Sequence, residues 1–246
     1  MGTWRDMTKE ELEKQYAPSR WSHRMDKEVV IEAHVRAVTE GTRRAQATMQ
    51  TLLHVPYGGN DGEKLDIYLP TDPSGAFPLV LYIHGGYWQF LSKEVSGFIA
   101  PPLVTQGIAV VAVGYDVAPK GHLDVMVAQV RRSVAFIVQQ YSKIRSDCSA
   151  VTLSLPREVA WRNSPILGVT AATPARKACE VLIAVAQHDS PEFHRQSQEY
   201  FQALRSAGWR VSLLDIADTD HFDVIEKLSQ RGYILTQVIL NMISRA

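Results

Sequence analysis

The sequence lacks the features that mark several protein classes. Neither charge is in excess: 26 Lys and Arg stand against 26 Asp and Glu. This speaks against a nucleic-acid binder, whose surface needs a basic surplus. Two cysteines in 246 residues, Cys148 and Cys179, are too few for a disulfide framework and point to a reducing compartment. The longest apolar runs, Ile108–Val113 and Val181–Ala186, are six residues each, whereas a membrane span needs about 20. Met1 to Arg20 is charged and polar, without the apolar core of a secretory signal. The expected location is therefore the cytosol, with the nucleus also open. Neither G-x-G-x-x-G nor G-x-x-x-x-G-K-[ST] occurs, which argues against a nucleotide site, and no H-E-x-x-H or similar metal spacing is present.

What is present reads as a globular α/β protein. Hydrophobic residues make up 46%, and a chain of this length buries roughly 70–75% of its unfolded surface without metal or disulfide staples. Thr8 to Glu11 is a capping box that predicts a short helix ended by Pro18. Asp26 can cap a longer, solvent-facing helix to about Met49, so residues 1–50 read as a helical extension. Strands are expected at Leu52–Tyr57 and Lys64–Leu69, paired as a hairpin across Gly58 to Gly62. In the second strand Leu65, Ile67 and Leu69 alternate with Lys64, Asp66 and Tyr68, which predicts one buried face. Leu79–Ile83 and Ile108–Val113 read as further strands around an irregular helix at Glu94–Gln106, broken by Pro101-Pro102. Leu123–Tyr141 reads as an amphipathic helix with Val127, Val130, Val134 and Ile137 facing the core. Beyond it come a strand at Val181–Ala186, a helix at Glu192–Ala207, a strand at Trp209–Ile216 and a last helix at Gly232–Ser244. A hairpin followed by alternating strands and helices predicts a mostly parallel central sheet with helices on both faces. The 39 residues from Ser142 to Glu180 break the alternation, with one short strand at Ala150–Leu155 and a helical turn near Glu158–Trp161.

Three places can carry chemistry. His84-Gly85-Gly86-Tyr87-Trp88 follows a buried strand directly. Paired glycines permit a sharp turn and present N–H groups to a ligand, as in an oxyanion hole; a tight turn with a satisfied histidine is the plainer alternative. Asp189, in Gln187-His188-Asp189-Ser190-Pro191, stands at the end of a strand, where parallel sheets place their sites. Asp189 or Ser190 before Pro191 also makes a good helix N-cap. His221, in Asp220-His221-Phe222, follows the next strand and can serve as a general base. An acid after one strand and a histidine after the next is the end of a hydrolase triad. His188, Asp189, His194 and His221 can be combined on paper as metal ligands, but no metal or other cofactor is expected.

The nucleophile such a triad needs is missing. No G-x-S-x-G occurs, and none of Ser142, Ser146, Ser149, Ser154 and Ser164 has glycines two residues to either side. Ser149 is the nearest to a candidate, but it precedes a strand instead of following one.

The chain resembles the kynurenine formamidase (arylformamidase) family of α/β-hydrolases. The resemblance rests on Leu12-Glu13-Lys14-Gln15-Tyr16, Pro18-Ser19-Arg20-Trp21, Gly62 to Tyr68, His84 to Gln89, Tyr115 to Gly121, Gln187 to His194 and Asp220 to Asp223. It covers about residues 4–141 and 157–243. It implies one α/β-hydrolase domain over 1–246. His84, Gly85, Gly86, Tyr87 and Trp88 then form the HGGxW oxyanion element, and Asp189 and His221 the triad acid and base. The implied reaction is hydrolysis of N-formyl-L-kynurenine to formate and L-kynurenine in tryptophan breakdown. Its partner is this small substrate, with no nucleic acid and no membrane; a homodimer is compatible with it. The family's Gly-His-Ser-Ala-Gly elbow should follow the long helix. Here the resemblance stops near Tyr141 and resumes at Arg157, as though an internal segment were absent and the sheet incomplete in its middle. The expectation is a weak or inactive formamidase, with a non-catalytic binding protein or a general carboxylesterase of the same fold as alternatives.

Overall fold

Local signals set most element boundaries. In the computed structural model, which describes residues 4–71, 77–140 and 179–245 together with Ile166 and Val169, helix α1 (Lys9–Gln15) starts at the Thr8 capping box: the Thr8 hydroxyl accepts from the Glu11 amide while the Glu11 carboxylate accepts from the Thr8 amide. Helix α2 (Val30–Thr48) begins three residues later than a cap at Asp26 suggests. The Asp26 carbonyl accepts the amides of Val29 and Val30 and so opens the helix through a turn. Val30, His34, Val38, Thr42 and Ala45 form its buried stripe. The chain forms two compact units, Met1–Arg36 with Val169–Lys227 and Ala37–Gly168 with Leu228–Ala246.

The larger unit holds a four-stranded sheet in the order β1-β2-β4-β3, with β1 Gln50–Pro56, β2 Lys64–Leu69, β3 Leu79–Ile83 and β4 Ala109–Val113. β1 pairs antiparallel with β2, β2 antiparallel with β4, and β3 parallel with β4. Among the described residues this sheet is mixed, with the expected hairpin on its antiparallel side. The hairpin carries a bulge between Leu52 and Val55, where His54 takes φ 56° and its amide donates to Asp66 Oδ1 at 2.8 Å. β2 is not half-buried: Asp66 and Tyr68 are as inaccessible as Leu65 and Ile67. Its second face is covered by the 3-10 turns Lys93–Val95 and Gly97–Ile99. Buried Lys93 donates to both Asp66 oxygens at 3.0 and 3.1 Å. Such a buried pair is costly to break by removing one partner, about 3–5 kcal/mol.

Those turns replace most of the expected Glu94–Gln106 helix. α3 is only Ala100–Val104, and Pro101 and Pro102 sit in its first turn instead of breaking it. First-turn amides have no partner inside the helix, so proline costs little there. Helix α4 (Leu123–Gln140) has the expected length; Ile137 is buried and Val130 packs on the core as expected, but the most buried face is shifted. Its buried residues are Met126, Gln129, Ser133 and Ile137, while Val134 is 43% exposed. The reason is polar. Gln129 accepts the Asp116 amide at 2.9 Å and donates to the Asp116 carboxylate at 2.7 Å, which rewards its burial. The core beneath α4 joins Ile137 to Tyr57, Leu65, Ile67, Val111 and Val113. Each such aliphatic side chain contributes about 1.5–3 kcal/mol when fully buried.

The smaller unit holds β5 (Glu180–Ala186) and β6 (Arg210–Ile216), parallel and in register from Glu180–Arg210 to Ala186–Ile216. Helix α5 (Pro191–Ser206) joins them, with Ser190 as N-cap, Pro191 at its start and Gly208 at φ 81° just past its end. A short α6 (Asp223–Glu226) follows β6, and α7 (Ile234–Arg245) belongs to the larger unit. Ser149, the other serines of that window, the Ala150–Leu155 strand and the Glu158–Trp161 turn lie outside the described residues. No helix among the described residues is long and apolar enough to cross a membrane.

Candidate active site

The loops after β5 and β6 are laced together. The Gln187 amide donates to the Ile216 carbonyl and the His188 amide to the Thr219 carbonyl, each at 3.0 Å. This places Asp189 and His221, 32 residues apart in sequence, side by side: His221 Nδ1 is 2.9 Å from Asp189 Oδ1. The carboxylate oxygen accepts, so Nδ1 carries the proton of this hydrogen bond. The other Asp189 oxygen accepts the Ala186 amide at 3.2 Å. Asp189 is 8% exposed, while Phe193 and Phe222 lie edge-on to the His221 ring. Of the two readings for this turn, capping falls to Ser190, whose Oγ accepts the Phe193 amide at 3.3 Å. Asp189 is thereby free to hold the imidazole.

The paper set of metal ligands does not converge. His188 lies against His23, ring centroids 4.0 Å apart and tilted by 38°, and His194 is 3.9 Å from Asp215. Among the described residues no three His, Cys, Asp or Glu side chains are grouped to hold a metal.

In the larger unit, the His84 loop is shaped by rings and strained backbone. The His84 ring lies flat on Tyr115, 4.3 Å apart at 5°, and the Tyr115 hydroxyl donates to the His84 carbonyl at 2.8 Å. His84 Nδ1 is 2.9 Å from the Gly85 carbonyl, and buried Nε2 has no hydrogen-bond partner among the described residues. Burial lowers the His84 pKa from 6.5, only partly opposed by the Gly85 carbonyl and Glu94. Gly86 takes φ 99°, and Tyr87, Trp88 and Leu91 all take φ between 52° and 64°. Non-glycine residues in this region are held there against a cost of order 1–3 kcal/mol each. The Gly86 carbonyl accepts the Gln89 and Phe90 amides, and the Trp88 carbonyl accepts from Ala118. Among the described residues neither the Gly85 nor the Gly86 amide is used as a donor. Trp88 packs on Tyr115, and Tyr87 is 39% exposed. Tyr115, which props the whole loop, has no role legible from sequence.

The BD-FAE family profile matches residues 65–154. An esterase of Pyrobaculum calidifontis superposes with TM-score 0.62 at 16% identity, covering 96% of this chain and 97% of that one. A fungal esterase from Rhizomucor miehei gives 0.60 at 15%, covering 90% and 91%. The fold is that of the α/β-hydrolases. Kynurenine formamidases from Salmo salar and Danio rerio are 46% and 45% identical to the chain, each aligned over the whole of both sequences. The chain belongs to the kynurenine formamidase family. The Salmo salar alignment runs over 294 positions against the chain's 246, so at least 48 face none of its residues.

Proposed function

We propose that the residues of this chain are built for hydrolysis of N-formyl-L-kynurenine to L-kynurenine and formate, and that the 246-residue form itself turns over weakly or not at all. The observation that carries the reading is the 2.9 Å Asp189–His221 contact in a chain so similar to named kynurenine formamidases along its length. In the family mechanism a serine attacks the formyl carbon. His221 would take its proton, Asp189 would hold the imidazole tautomer, and the Gly85 and Gly86 amides would bind the oxyanion. Tyr87 and Trp88 would pack against the aromatic substrate or wall the site. The reading makes 1–246 one α/β-hydrolase domain, in the cytosol or nucleus, with no cofactor and with a homodimer compatible. The weak activity follows from the absence of any G-x-S-x-G, the motif that would bear the serine.

A serine-directed fluorophosphonate probe and a formylkynurenine assay test it together. The expected outcome is no stoichiometric labelling and little turnover by this chain, with both gained when a family-type segment containing G-x-S-x-G is inserted between Tyr141 and Arg157. Full labelling and turnover by the chain as it stands would overturn the weak-activity part. A restored chain that hydrolyses short esters but not the formamide would overturn the substrate. The missing motif also favours a second reading, a binding protein that keeps the substrate and lacks turnover; formylkynurenine binding by calorimetry would reveal it.

A further inference from the structure

The turn that carries His221 is anchored by a residue far away in sequence. Asp220, the neighbour of His221, is 0% exposed. Its Oδ1 accepts the amides of Phe222 at 2.9 Å and Asp223 at 2.8 Å, so the backbone wraps around the carboxylate just past His221. Its Oδ2 accepts the Ser22 hydroxyl at 2.5 Å and Arg24 Nε at 3.1 Å. Arg24 reaches further. Its two terminal nitrogens donate to the two oxygens of Glu226 at 2.8 Å each, and one lies 3.8 Å from Asp223. Three carboxylates thus meet one guanidinium. Two further side chains touch the margins: His34 is 2.9 Å from Glu226 and Lys227 is 3.3 Å from Asp223.

We propose that Arg24 is a positioning residue for His221, fixing through Asp220 the turn on which the imidazole stands and hence its hydrogen bond to Asp189. The proposal rests on the reading of Asp189 and His221 as the acid–base pair. A planar fork suits this place because it spans two carboxylates at fixed spacing, which a lysine ammonium cannot do. Without it, Asp220 would keep the Ser22 hydroxyl but face Asp223 and Glu226 as like charges in a poorly solvated turn. Relief comes by moving the turn outward, which draws His221 away from the Asp189 oxygen. Burial works against the charged form of Asp220, yet the Ser22 hydroxyl, the Asp223 amide and Arg24 outweigh it and leave the carboxyl below its ordinary range.

The test is the Nδ1 proton of His221, followed by nitrogen-15 NMR on the full chain and assigned by its disappearance in His221→Gln. The wild type should show this proton as a downfield, slowly exchanging resonance. Arg24→Gln should lose it. Tyr16→Phe, which severs the Tyr16–Glu192 hydrogen bond in the same N-terminal stretch, should keep it. A merely structural Arg24 would lower the melting temperature and leave the resonance intact in folded protein, and that result overturns the proposal. Should Arg24→Gln fail to fold, the charge-balanced Arg24→Gln/Glu226→Gln chain is read the same way: loss supports the proposal, retention overturns it. A wild-type chain without the resonance would remove the acid–base reading, and this proposal with it, whereas retention in Arg24→Gln removes only the role of Arg24.

Discussion

Around His84 the backbone is held by a flat ring stack, a tyrosine hydroxyl and four residues with positive φ. Around Asp189 and His221 the tethers are largely charged: Arg24 on Asp220 and Glu226, and Tyr16, Arg195 and Gln196 on Glu192. The first region depends on shape and close contact, which respond to volume and to backbone freedom. The second depends on ion pairs and charge-assisted hydrogen bonds, which respond to protons and to the loss of a partner. The two loops therefore have different weaknesses.

The strongest way to break the first region is Gly86→Ala. Its φ of 99° disfavours any side chain, and a Cβ there would run into the Phe90 carbonyl group. The expected cost is about 3 kcal/mol, read as a lowered urea midpoint with altered Trp88 fluorescence, while the His221 Nδ1 resonance stays in place. An unchanged midpoint would mean that shape does not hold this loop.

Acid should separate the regions next. The folded pKa of His84 lies below 6.5, so its neutral ring contributes stability above that pH and the contribution declines as pH falls through the folded value. On the charged side burial opposes ionisation of Glu192, but Arg195, Gln196 and Tyr16 hold it at about 2. Burial likewise opposes Glu226, which His34 and Arg24 hold below its usual range. Their stabilisation is complete above about 4.5 and is lost only as pH falls below it. Hydrogen exchange across that range should show the His84 loop loosening first, below about pH 6.5, and the His221 turn only below about pH 4.5. Simultaneous loosening would erase the distinction.

The smallest effect belongs to Tyr115→Phe. It keeps the stack and removes the hydroxyl that serves the His84 carbonyl, at an expected cost of about 1 kcal/mol. A thermal melt resolves this, and a much larger loss would assign the loop to its hydrogen bond instead of its rings.

The same division governs what was readable from sequence. Local, chain-adjacent chemistry was legible: the Thr8–Glu11 box, the β2 and β3 limits and the Ser190-Pro191 helix start. The Asp189–His221 contact, 32 residues apart, was legible only because each residue follows one strand of a parallel pair. Polar burial that depends on a distant partner was not. Periodicity turned Val134 inward and passed over Gln129 because the sequence does not announce that Asp116, 13 residues earlier, receives the glutamine. Alternation left Asp66 and Tyr68 on a wet face because Lys93, 27 residues on, is what lets Asp66 be dry. Arg24 gave no signal at all, since its partner Asp220 is 196 residues away. The resemblance to the formamidases supplied site roles that spacing alone left open between capping and catalysis.

The Ser22 and Arg24 bonds to Asp220 also carry a timetable. A ribosome delivers these two residues nearly two hundred positions before the carboxylate that they hold. During synthesis they have no partner of that kind, and contacts so far apart along the chain form late. The turn after β6 can be tied down only once β5, α5 and β6 have all emerged.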